Sequence, residues 1–234
     1  MLIMKMDNEE HAKLPRSLGK ILFGMEDGLV TALGTVLGVS AATNDPRIVL
    51  IAGIVATFAE SVSMFFGSYL SAQAKKELYE RAYREEEKEF HEEPKKEREE
   101  LMIFYGKMGF GKKDAKNLTE KTMKDKKLFM NVMMREEFGM MPDHRGSPFK
   151  SALIYWIATL IGMIAIVPFA IMAVGQANIV SVALVMLTLF TAGALKTRYT
   201  KRSWIRSGLE MMAIGMFAAA VGYLAGLLLG TVVL

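Results

Sequence analysis

Apolar residues along this chain gather into five long blocks, interrupted once by a densely charged stretch. The blocks are 21–42 ("ILFGMEDGLVTALGTVLGVSAA"), 48–72 ("IVLIAGIVATFAESVSMFFGSYLSA"), 151–173 ("SALIYWIATLIGMIAIVPFAIMA"), 179–195 ("IVSVALVMLTLFTAGAL") and 208–234, which opens "GLEMMAIGMF". A helix needs about 20 predominantly apolar residues to cross the hydrocarbon layer, so each block predicts one span. Packing them as buried helices of a large soluble protein would require amphipathic covering helices, of which the chain has too few. The first block is not a signal peptide: it lacks a small-residue cleavage pattern and holds Glu26 and Asp27 near its start. "TNDPR" (43–47) predicts a hairpin between spans one and two, and "VGQAN" (174–178) one between spans three and four.

The charged stretch also has helical character. Residues 73–93, "QAKKELYERAYREEEKEFHEE", hold no proline or glycine and favour helix, so span two is expected to run on as one helix. Pro94 ends it and opens the next, "PKKEREELMIFYGKM". Two shorter helices are expected near 112–123 and 125–138. The fold class is therefore an all-α integral membrane protein: five transmembrane helices, with a helical domain inserted between spans two and three. The divisions are 1–20, an N-terminal segment; 21–72, spans one and two; 73–150, the inserted domain; and 151–234, spans three to five.

Charge orients this topology. With the N-terminus cytoplasmic, 28 of the 29 Lys and Arg lie inside and only Arg47 outside. The short "KTRYTKRSWIR" segment (196–206) carries five of them and no acid, which is the kind of loop the positive-inside bias acts on. The expected location is a cell membrane, multi-pass, with the N-terminus and 73–150 cytoplasmic and the C-terminus outside; a vacuolar membrane is the counterpart in a eukaryote. Positive loops beside spans also account for the pI of about 9.1, so no nucleic acid partner is implied. With no cysteine, disulfides and thiolate metal sites are excluded. Gly34/Gly38 and Gly222/Gly226/Gly230 give flat faces for close approach, within one subunit or across a dimer.

Polar residues inside the spans are the candidate chemistry. An acid at mid-membrane on an isolated helix costs roughly 2.5–3.5 kcal/mol, so Asp27 in span one and Glu60 in span two call for a partner. Met64 stands four residues after Glu60 on the same face, and carboxylate with thioether offers mixed donors to a divalent transition ion. The plainer readings are an interfacial role for Asp27, a hydrogen bond from Glu60 to Ser61, Ser63 or a neighbouring helix, and core filling by Met64. Glu210 fits an ion path or a pair with Arg206 equally well. In the charged middle, Glu86, Glu89 and Glu93 share one face, Glu97 and Glu100 repeat the spacing, and Met133 and Glu137 lie four apart. Carboxylates so gathered repel unless a cation joins them; His91 could add nitrogen. Residues 74–100 also hold eight basic residues against eleven acids, so ordinary ion pairing remains a competing reading. No paired E-x-x-H set marks a di-iron enzyme.

Four stretches, "GMEDGLVTALGTVLGVSAA", "SVSMFFGSYLSAQAKKELYE", "MMREEFGM" and "GALKTRYTKRSWIRSGLEMM", resemble the vacuolar iron transporter family, in order and over nearly the whole chain. The resemblance implies a dimer of five-span subunits with a cytoplasmic metal-binding domain. It assigns Asp27 and Met64 to the transport path, Glu86, Glu89, Glu97 and Glu100 to two pairs of cytoplasmic metal ligands, and Met133 and Glu137 to further ligands. This chain departs from the pattern at four places. Ala56 stands where some members carry a path glutamate, Glu60 where a small residue is usual, Met134 where a ligand glutamate is expected, and Glu26 where asparagine precedes "DG".

The function so implied is proton-coupled export of Fe2+, and of Mn2+, from the cytoplasm. It needs no resident cofactor and is not an enzymatic activity. The partners are the bilayer, divalent metal ions, protons and a second copy of the chain. The rival readings are a same-fold exporter preferring Mn2+ or another divalent ion, and a membrane-anchored metal sensor or store without transport.

Overall fold

The computed structural model describes residues 17–140 and 147–233. Residues 1–16 of the expected N-terminal segment, 141–146 of the inserted domain and Leu234 of the last span lie outside the described residues. The helices are α1 (Leu18–Ala42), α2 (Pro46–Glu92), α3 (Pro94–Lys107), α4 (Lys112–Lys124), α5 (Lys126–Glu136), α6 (Pro148–Thr159), α7 (Val174–Thr200) and α8 (Trp204–Val233). Two 3-10 segments, Leu160–Ala165 and Val167–Ala170, follow α6. Among the described residues, five helical segments are long and apolar enough to cross a membrane: Leu18–Ala42, Pro46–Glu92, Pro148–Ala165, Val174–Thr200 and Trp204–Gly230. The chain divides into two compact units, one ending at Ser68 and resuming at Phe149, the other Tyr69–Pro148.

In the first unit, α1 packs against α7, α8 and the 3-10 segment after α6. Apolar side chains alone hold spans together poorly in lipid, so small residues that bring backbones close decide which helices meet. A Cβ on Gly38 would lie 2.9 Å from the Gly222 carbonyl oxygen, and one on Gly222 would lie 2.6 Å from that of Gly34. A Cβ on Gly226 would collide with the Gly38 backbone. The glycine faces expected from spacing therefore join α1 to α8 within one chain. On its other side, α1 sets Gly28 against the backbones of Thr159 and Gly162. Leu29, Leu33, Val36, Val185 and Leu189 fill the core between these contacts, all fully buried.

The third span differs from the single helix expected over 151–173. Its α-helix stops at Thr159 and tightens into 3-10 turns. Pro168 has no N–H to continue an α-helix, and Ser181 Oγ donates 2.7 Å to the carbonyl of Ala165, satisfying an acceptor that a regular helix would have occupied. The hairpin expected at 174–178 is also displaced. Those residues already form the first turns of α7, and the chain reverses at 171–173. Between α1 and α2 the turn is shorter, with Asp45 Oδ1 accepting 2.8 Å from Arg47 N as α2 begins.

In the second unit, α2 ends at Glu92 because Pro94 drives Glu93 out of helical geometry (φ −126°, ψ 49°) and starts α3. Gly109 adopts φ +95° in the turn after α3, a conformation costly for any residue with a Cβ. Asp125 caps α5, accepting from Lys127 N at 3.0 Å and Leu128 N at 3.1 Å. Leu101, Tyr105, Phe129, Met130 and Met133 lie in the apolar core, and Phe90 of α2 packs tilted (47°) against Phe129, ring centroids 4.5 Å apart. Tyr105 closes it, its hydroxyl 2.6 Å from Thr122 Oγ1.

Gly226→Ala is expected to destabilise the protein by about 1–3 kcal/mol through overpacking against α1. Gly19→Ala, whose Cβ would meet nothing within 4 Å, leaves stability unchanged or slightly raised. Thermal unfolding of the two variants in detergent checks this.

Candidate metal-handling sites

Two acidic sites emerge, one in each unit. In the first, Asp27 of α1 and Glu60 of α2 bring their carboxyls within hydrogen-bonding reach. Both residues are half-buried. Asp27 is fixed by its neighbour Gly28, whose lack of a side chain lets α1 touch the third span. Around Glu60, the same face of α2 presents Thr57 one turn before and Met64 one turn after. Thr57 is fully buried and its hydroxyl has no partner among the described residues; Met64 is half-buried. Ser61 does not hold Glu60, since its hydroxyl donates 2.8 Å to the Phe58 carbonyl. Glu210 resolves to the ion-pair reading, with Arg206 at 3.4 Å and Arg202 at 3.9 Å.

In the second unit, Glu86 (2% exposed) and Glu97 (0% exposed) are buried face to face. Glu86 Oε1 and both Glu97 oxygens meet no N–H or hydroxyl donor among the described residues. Burial, and then the charges of Glu97 and Glu137, push Glu86 up to about 9. Held protonated, Glu86 has one hydrogen to share, and Glu97 and Glu137 both lie near enough to compete for it. Burial likewise pushes Glu97 up to about 7, against the hydrogen bond it accepts. Glu137, the residue that ends α5, is raised first by desolvation and then by Glu100. Glu86, Glu97 and Glu137 therefore come together from three helices.

Glu89 and Glu100 lie beside this group and are bridged by Lys96. Its Nζ is 2.6 Å from Glu89 Oε2, 3.8 Å from Glu100 Oε1 and 3.9 Å from Glu93 Oε2. Among the described residues, no three Asp, Glu, His or Cys are arranged so as to seat a metal ion. Protons and Lys96 join the carboxyls in this state. Met133 is fully buried within the apolar core, and Met134 packs with Tyr79 and Ala82. His91 does not join the glutamates: it is exposed and turned to Lys126, 3.3 Å away, which also binds Glu87 at 2.5 Å.

Lys96 and Thr57 are the residues that sequence reasoning passed over. Lys96 stands three after Glu93 and four before Glu100, a spacing that announces both of those pairs; its tie to Glu89 on another helix has no sequence signal. Thr57 lies one turn before Glu60, and its three-residue spacing from that acid is the signal that could have found it.

Apolar helices long enough to span a membrane, a half-buried acidic pair on two of them and a helical unit gathering carboxyls define a polytopic helical membrane protein. The profile of the VIT family matches residues 18–227, and the chain belongs to that family. It is 31% identical to the vacuolar iron transporter of Plasmodium berghei over 95% of this chain and 86% of that relative. It is 33% identical to the one of Toxoplasma gondii over 91% of this chain and 74% of the relative. Vacuolar iron transporter 1 of Arabidopsis thaliana is 27% identical, over 92% and 87%.

The raised carboxyls set a pH dependence. The folded chain keeps protons that the unfolded chain releases near 4.5, so metal-free stability falls as pH rises from about 4.5, and the loss is complete above about 9. Glu86→Gln is expected to flatten this slope, read as melting temperature against pH for the whole chain in detergent.

Proposed function

We propose that this protein is a proton-coupled exporter of divalent transition metal, Fe2+ with Mn2+ accepted, from the cytoplasm. The contact between Asp27 and Glu60 carries this reading. Two carboxyls from different spanning helices can be hydrogen-bonded to one another only with a proton between them, and a divalent cation can take that proton's place. Met64, one turn along, supplies the soft donor and Thr57 a hydroxyl on the same face. The family's named members in parasites and plants, vacuolar iron transporters, support iron as the cargo.

The transport cycle follows from charge. Against about 100 mV, negative inside, each exported charge costs roughly 2.3 kcal/mol, and return of two protons cancels the electrical work of moving one divalent ion. Asp27 and Glu60 take up protons from outside as metal leaves and give them up inside as metal arrives. Glu86, Glu89, Glu97, Glu100 and Glu137 capture metal on the cytoplasmic side, with Met133 as a thioether neighbour. Capture releases the protons held on Glu86 and Glu97 and displaces Lys96. The N-terminus and residues 73–150 are cytoplasmic and the C-terminus outside in this reading, and the protein works as a homodimer in a cell membrane. The apolar stripe Ile51, Val55, Phe58, Val62 and Phe66, exposed on one chain, is available to lipid or to the second copy. Glu60, an added hard oxygen donor beside Met64, favours a stronger Mn2+ component.

In sealed proteoliposomes, Fe2+ uptake should follow an imposed pH gradient, vanish in Asp27→Ala and shift in Fe2+ over Mn2+ preference in Glu60→Ala. Flux indifferent to the gradient would remove the antiport; binding without any flux would leave a sensor or store. Lys96→Gln is expected to tighten Mn2+ binding, measured by calorimetry on the whole chain, by no more than about fivefold, as suits an exposed ion pair.

A further inference from the structure

A second binding site lies in the first unit, away from Asp27 and Glu60. A cleft of about 340 Å³ runs between α1 and α7, a volume within the range of small-molecule sites (about 300–1,000 Å³). Its walls are apolar: Ile21, Leu22 and Met25 from α1 face Ala192 and Leu195 from α7. Thr188 and Thr191 also line it, but their hydroxyls are spent on the carbonyls of Leu184 and Thr188. At one end stand Lys196, Arg198 and Tyr199, where α7 nears its C-terminus, beside Leu18 at the start of α1.

The charge of this cleft is one-sided. No Asp or Glu lines it, so it repels the cations that the acidic sites attract. Four of the five basic residues of 196–206 are divided between two tasks. Arg202 and Arg206 share Glu210, whereas Lys196 and Arg198 meet no carboxylate among the described residues. Lys20 is turned away, donating to Ser151 Oγ. The first turn of α1 adds backbone N–H groups that the Ser17 side chain does not cap.

Length identifies the occupant. The α7 lining from Thr188 to Tyr199 rises roughly 16 Å at 1.5 Å per residue, about half of a hydrocarbon core of about 30 Å. The cleft is one leaflet deep, apolar along its length and cationic at the headgroup end. We propose that it holds an anionic glycerophospholipid. The phosphate rests on Lys196, Arg198 and the Tyr199 hydroxyl, and one acyl chain lies along Ile21, Leu22, Met25 and Leu195. Basic clefts between spanning helices at the membrane surface are suited to such headgroups. This inference is independent of the transport reading.

The test is lipid titration of the whole chain in detergent, read by native mass spectrometry and by melting temperature. The probes are phosphatidic acid, phosphatidylcholine with the same chains, and inorganic phosphate. Saturable phosphatidic acid binding, at least tenfold tighter than phosphatidylcholine and not competed by millimolar phosphate, is expected. The Lys196→Ala/Arg198→Ala double variant should lose about tenfold or more of that affinity while keeping its lipid-free melting temperature. Thr191→Phe, at an exposed position in the cleft, retains both charges and should lose binding by blocking the acyl chain. Lys112→Ala/Lys113→Ala, equal in charge loss but in the other unit, should bind as the parent does. Equal binding of the two lipids, full competition by phosphate, undiminished binding in Lys196→Ala/Arg198→Ala or in Thr191→Phe, or a matching loss in the control overturns the proposal.

Discussion

Within hydrocarbon, an apolar side chain gains nothing by exchanging lipid for a neighbouring helix, so spans associate where their backbones can come close. That constraint organises the membrane unit around α1. Gly34 and Gly38 open one side of α1 to Gly222 and Gly226 of α8, and Gly24 and Gly28 open another to the third span. Asp27 sits between Gly24 and Gly28 in sequence, so its depth and direction are inherited from residues with no side chain of their own. A bulky residue at Gly28 would push Thr159 and Gly162 away and move the acid with them. The break in the third span belongs to the same arrangement, because Gly162 is the residue whose backbone meets Gly28.

The two acidic sites solve one electrostatic problem by different means. Carboxyls gathered away from water need a proton, a basic side chain or a metal ion. Asp27 and Glu60 are close enough for a shared proton. The other unit divides its solution: Glu86 and Glu97, out of reach of N–H and hydroxyl donors, keep a proton, while Glu89 and Glu100 are held by Lys96. In the function proposed above, cation arrival at either site is an exchange of charge for charge, which couples gradients of protons and metal without a large excursion of net charge.

Much of this was legible in the order of residues. Five apolar runs, Pro94 as a helix boundary and the glycine faces follow from periodicity and from the geometry of proline and glycine. The acids on α2 and α3 could be grouped by three- and four-residue spacing because both stretches are plainly helical. What escaped was long-range or sterically subtle. The shift from α to 3-10 geometry at Leu160 depends on Gly28 of another helix, and the reversal at 171–173 contains no glycine to announce it. His91 could add nitrogen by its place in the sequence, yet its ring is turned to Lys126 on α5. The partnership of Asp27 with Glu60 crosses two helices and could be posed only as an expectation that each acid had some partner.

The tightened third span has a further geometric effect. Side chains three apart in a 3-10 helix eclipse one another, so rows run straight along the axis instead of winding around it. Ile161, Val167 and Ala170 are exposed at multiples of three, whereas Gly162, Ala165 and Pro168 form a buried row beside Ile166 and Phe169. The outer surface of this half-span is thus a straight seam, and substitutions between apolar residues should be tolerated in every third position along it. An insertion of one residue would rotate all later rows by a full third of a turn, carrying buried positions outward together.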